Sequence, residues 1–79
     1  MWSEGIIASP ATGEKYKYWV KHYEEESEVH GINGGKISKL TICKLGEYQN
    51  LVNFDRGWDV KPKTKELKTV YEIILQKYN

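Results

Sequence analysis

Hydrophobic and polar positions along this chain follow a period of two until about residue 58, and then recur every three to four residues. Trp2 to Ala8, with Ile6 and Ile7 as its apolar content, predicts a short first strand. Ser9-Pro10-Ala11-Thr12-Gly13 closes it as a turn, because Pro fixes φ and Gly admits a positive one. Tyr16 to Tyr23 is rich in aromatic and β-branched residues and predicts a second strand. Of its two faces, Tyr16/Tyr18/Val20/His22 is more apolar than Lys17/Trp19/Lys21/Tyr23 and is placed against the core. Ile37 to Lys44 predicts a third strand, with Ser38, Leu40 and Ile42 on one side. Leu45-Gly46-Glu47 reverses the chain, and Tyr48 to Phe54 runs back as a fourth. Between the second and third strands lies a long connection ending in Gly31-Ile32-Asn33-Gly34-Gly35, where Asn33-Gly34 is a turn dipeptide.

Pro62 ends the extended pattern. Thr64 suits a helix N-cap and Glu66 suits the first turn, against the positive end of the helix dipole. Leu67, Val70, Tyr71, Ile74 and Tyr78 then share one helical face, while Ile73 lies off that stripe. The expected architecture is α+β: a single domain over residues 1–79, with an antiparallel sheet of about four strands and one C-terminal helix packed on one face, ββββα.

With 79 residues there is room for one core. Hydrophobic residues make up 39% of the chain, a modest share that the aromatic side chains compensate by their large buried areas. Cys43 is the single cysteine, so no disulfide forms within the chain, and a reducing, cytoplasmic setting is expected. The longest apolar run, Ile73-Ile74-Leu75, is too short for a membrane span. Net charge is +1, which gives no strong overall attraction to nucleic acid or membrane. The distribution is uneven: residues 1–35 hold three Lys against six Glu, and residues 36–79 hold nine Lys or Arg against five Asp or Glu.

The densest chemistry is Asn53-Phe54-Asp55-Arg56-Gly57-Trp58-Asp59. As structure, Asp55 caps a turn, Gly57 takes a positive φ, Arg56 pairs with a nearby carboxylate and Trp58 closes the core. As a site, Arg56 and Trp58 are the residue types enriched in binding hot spots. Gly31 to Ser38 lacks the spacing of a phosphate-binding loop, since Lys36 is followed by Ile37 and no helix is expected there. A weaker anion nest involving Lys36 and Lys39 is the residual chemistry of that loop. His22, His30 and Cys43 have no short ligand spacing, and no nucleophile–base arrangement stands out, so neither a metal, a cofactor nor a catalytic residue is expected.

Three strings resemble a family of small uncharacterised proteins from Gram-positive bacteria and their phages and mobile elements. They are Tyr18-Trp19 with Lys21 and Ser27, Gly31 to Leu40, and Asn53 to Asp59, with the final Tyr78-Asn79 also fitting. Phe54 stands where the pattern suggests tyrosine. The resemblance implies a common fold and a bacterial or phage cytoplasmic setting, and it brings no activity with it.

A non-catalytic interaction module is therefore expected. Its contact would be made by Asn33, Lys36, Lys39, Asp55, Arg56, Trp58 and Asp59, toward a protein partner or a second copy of the chain. The alternative is a nucleic-acid-binding face of Lys17, Trp19, Lys21 and Tyr23, because lysines interleaved with aromatics on an open sheet suit a backbone-and-base ligand.

Overall fold

A computed structural model describes residues Met1–Asn79. Five strands, rather than four, form one fully antiparallel sheet in sequence order: β1 (Trp2–Ala8), β2 (Lys15–His22), β3 (Ile37–Lys44), β4 (Val52–Asp55) and β5 (Trp58–Val60). A single helix, α1 (Lys65–Tyr78), follows. The fifth strand comes from the Asn53–Asp59 segment itself. Phe54 pairs with Trp58, so Asp55, Arg56 and Gly57 make a hairpin connection and Trp58 re-enters the sheet. The expected fourth strand is also shorter than its sequence suggests. Tyr48 to Asn50 stay out of the ladder, and Tyr48 is 98% exposed.

The alternation in β2 holds. Tyr16, Tyr18 and Val20 are buried with Leu40, Ile42, Val52 and Phe54, and the helix lays Leu67, Val70 and Ile74 onto them. Ile32 and Ile37 complete this core from the connection before β3. Ile37 leaves the simple alternation of its strand because the β2–β3 register shifts between Lys21 and His22. Ile73, off the helical stripe, is half-buried.

Both ends of α1 are tied to the sheet by polar groups. At its start, Thr64 accepts a hydrogen bond from the Leu67 amide at 3.1 Å, as an N-cap does. Glu66 accepts from the Thr12 hydroxyl and from Tyr16 Oη at 2.5 Å. These donors hold the Glu66 carboxyl below its ordinary range, and burial together with Glu66 pushes the Tyr16 phenol up to about 12. At its end, the Tyr78 hydroxyl meets that of Tyr18 at 3.0 Å, and its ring packs 4.9 Å from the His22 ring. His22 in turn shares a hydrogen bond with Ser3 Oγ at 3.0 Å. No helix is long and apolar enough to cross a membrane.

Candidate functional site

The glycine-rich connection is a receptacle for the last residue of the chain. Asn33 and Gly34 take left-handed backbone, with φ of 53° and 72°, and reverse the chain within one turn. The reversal aims the Ile37 amide and the Ile32 carbonyl at the same point. The Asn79 side chain fills it, its Oδ1 accepting from Ile37 N at 2.9 Å and its Nδ2 donating to Ile32 O at 3.1 Å. A Cβ on Gly35 would overlap this amide, and one on Gly31 would overlap the Gly35 carbonyl. Ser27 closes the rear of the loop: its backbone N–H donates to Gly35 O, and its Oγ accepts from His30 N. The Gly31, Gly34, Gly35 and Ile37 N–H groups of the loop are thus engaged within the chain.

The Asn53–Asp59 corner divides into structural and free groups. Trp58 is half-buried, its ring edge-on to Phe54 at 5.1 Å and to Tyr71 at 5.5 Å, so it fastens β5 to the helix. Asn33 lies beside the Tyr71 hydroxyl, and this is where the glycine loop and the corner meet. Asp59 accepts from Asn53 Nδ2 at 3.1 Å, and Asn53 accepts from Thr41 at 2.8 Å. Asp55 pairs with Lys39 at 3.6 Å. Lys36 is half-buried, and its carbonyl accepts from the Tyr23 amide.

Arg56 differs from its neighbours. The positive φ expected at Gly57 falls on Arg56 instead, at 58°, while Gly57 has open space around the position of a Cβ. The two ion pairs of the molecule are Lys39–Asp55 and Lys44–Glu14, and Arg56 joins neither. Its backbone N–H bonds Ser38 O at 2.9 Å, and its exposed side chain lies near Tyr23. A left-handed non-glycine residue costs about 1–2 kcal/mol. Arg56→Gly should therefore raise stability, by about 0.5 kcal/mol once glycine's extra backbone entropy is subtracted. A urea midpoint lower than wild type would show instead that the guanidinium holds the fold.

The sheet face away from the helix assembles the second set of residues. Lys17 Nζ lies 5.1 Å from the Trp19 ring centre, and Lys21 Nζ sits between Trp2 and Tyr23, at 5.7 and 5.6 Å. Lys21 lowers the pKa of the Tyr23 phenol. Trp2 and Ile6 belong to this face as well, being 59% and 58% exposed, and residue-by-residue reading left them out. The β1–β2 register puts them opposite Lys21 and Lys17. The signal was the period-two placement of Trp2, Glu4 and Ile6, which gains meaning only once the 9–14 turn has set that register. Cys43, also on this side, is buried and donates toward Asn50 Oδ1, and burial raises its thiol pKa. His30 is exposed, and no three His, Cys, Asp or Glu side chains gather into a metal-binding group.

Fold and surface together define a small α+β domain: a five-stranded antiparallel meander closed by one helix on one side, with an aromatic-and-lysine face open on the other. The chain belongs to the DUF7678 family, a domain of unknown function, whose profile matches residues 1–79. Searches of curated proteins and of solved structures each gave no match.

Proposed function

We propose that this domain acts by binding rather than catalysis, and that its open sheet face takes single-stranded nucleic acid. One observation carries the reading: on that face, cations and aromatic rings alternate as Lys17–Trp19 and Trp2–Lys21–Tyr23. Rings on a rigid sheet accept stacked bases of any sequence, while ammonium groups beside them take the phosphates. Arg56, near Tyr23, and Lys39, opposite Lys21 and paired with Asp55, continue the face past Tyr23. Glu24, Glu25 and Glu26, exposed just beyond Tyr23, bound it at that end.

The test is an amide NMR titration with a mixed-sequence single-stranded oligonucleotide at low salt. Shifts are expected on residues 2–6, 17–23 and 39, and they should vanish as salt rises, because phosphate contacts weaken steeply with ionic strength. Trp19→Ala should weaken binding about fivefold or more, the low end of what one stacked base contributes. An unchanged spectrum at high oligonucleotide concentration would overturn the reading.

A second reading, a protein contact at the Asp55–Arg56 turn, is favoured by the left-handed, ion-pair-free Arg56. Backbone strain that the surrounding structure holds in place is a reason to look for a use. It predicts a partner whose binding is lost in Arg56→Gly, measured by titration of the two proteins against that partner. For either reading we infer a bacterial or phage-derived, cytoplasmic setting, supported by the motif resemblance and by a lone cysteine kept buried as a thiol.

A further inference from the structure

The two edges of the sheet are built differently. β5 has three residues and runs into Lys61-Pro62-Lys63, which is how proteins blunt an edge against pairing. β1 has seven residues in unbroken register with β2, and contains neither proline nor lysine. Its hydrogen-bonding parity follows from its two ends. His22 N donates to Met1 O, and Ser9 N donates to Glu14 O, so Met1, Ser3, Gly5, Ile7 and Ser9 direct their backbone groups at β2. Trp2, Glu4, Ile6 and Ala8 therefore aim theirs outward, and no turn or loop hydrogen bond engages them. All four are exposed, including the large apolar Trp2 and Ile6.

We propose that the outer edge of β1 pairs antiparallel with the same edge of a second copy, giving a two-fold dimer with a continuous ten-stranded sheet. The occupant is a second copy because the edge complements itself. Centred on Gly5, the pairing sets Trp2 against Ala8 and Glu4 against Ile6 of the other protomer, and uses all four outward-facing residues. Gly5 meets its own copy at a non-hydrogen-bonded position, where strands approach most closely and a residue without Cβ fits. On the open face the bulky Trp2 lies across from the small Ala8. Glu4 reaches the neighbourhood of Lys17 of the second copy, since Lys17 sits opposite Ile6 within each chain. Like sets of residues meet on both sides of the axis, as an isologous contact requires. The proposal does not depend on nucleic-acid binding, although it would join two open faces into one platform.

Sedimentation of the reduced protein over a wide concentration range, without nucleic acid, measures the oligomer. Hydrogen exchange by NMR in the same samples locates the contact. A concentration-dependent dimer is expected, with the Glu4 and Ile6 amides exchanging more slowly as it forms. Ile6→Pro removes one outward N–H at a place where an edge strand tolerates proline, and should leave a folded monomer. Glu4→Lys, exposed in the monomer, turns the attraction between Glu4 and Lys17 of the second copy into a repulsion and should weaken the dimer about tenfold. Lys61→Glu, exposed just past β5 at the opposite edge of the sheet, should leave it intact. A monomer at every concentration would overturn the proposal, and so would a dimer whose Glu4 and Ile6 amides exchange freely. A dimer retained by both β1 variants would overturn it too.

Discussion

Gly31→Ala is expected to destabilise the domain by about 3–4 kcal/mol, a large part of the total stability of a chain this size. A Cβ at Gly31 would overlap the Gly35 carbonyl and stand 2.7 Å from the Ser27 carbonyl, and both obstacles are backbone. Backbone cannot yield as the tip of a side chain can, so the loop must open. Opening it breaks the Ser27–Gly35 and Gly31–Ser27 hydrogen bonds and withdraws Ile32, which is 1% exposed, from the core. Thermal melting should show a loss of about 15–25 °C at the stability slope of small domains. Gly57→Ala is the internal control: its Cβ meets open space, and the midpoint should stay within about 0.5 kcal/mol of wild type. Equal melting of the two variants would mean that the loop is not packed as described.

Asn79→Ala should cost about 1–3 kcal/mol, because it deprives the Ile37 N–H of its partner and leaves the Ile32 carbonyl with the Gly35 N–H alone. Both belong to residues that are 1% exposed or less. The amide also ties the chain end to a loop 42 to 47 residues earlier, so its loss frees the last turn of α1 to fray. Gly35→Ala should cost a similar amount by expelling the same amide. The double variant gives the sharper result. Once Asn79 is Ala, the three atoms nearest a Cβ on Gly35 are gone, and adding the second substitution should cost less than about 1 kcal/mol more. Additive losses in this double-mutant cycle would mean that the Asn79 amide does not occupy the loop.

The two substitutions also show where reading the sequence stops. Gly31 to Ser38 was legible as a distinctive string and as a turn, since Asn33-Gly34 predicts left-handed backbone. Its purpose was not legible, because the partner is Asn79, at the far end of the chain, and no local periodicity refers to it. The Asn53–Asp59 corner behaved similarly. A turn was evident from Asp55 and Gly57, yet the residue taking positive φ is Arg56, and Trp58 begins a fifth strand. Three residues are too few to display an alternation, so β5 depended on pairing with Phe54. Contacts divide the candidate residues: Trp58 serves packing, Asp59 hydrogen bonding and Asn33 the turn of the glycine loop, while the Arg56 side chain is left free.

What the sequence determined by itself is whatever rests on short-range periodicity: the faces of β2, the stripe and N-cap of α1, the turns, and thus the α+β class. These follow from alternation and from the 3.6-residue repeat, which are properties of neighbouring residues. The tertiary structure alone decided the β1–β2 register that gathers Trp2 and Ile6 with Lys17, Trp19 and Lys21. It also decided the seating of Asn79 in the glycine loop, and which sheet edge stays open. Each of these depends on groups far apart in the chain meeting at hydrogen-bond or van der Waals distance, and a pattern of neighbours carries no record of that.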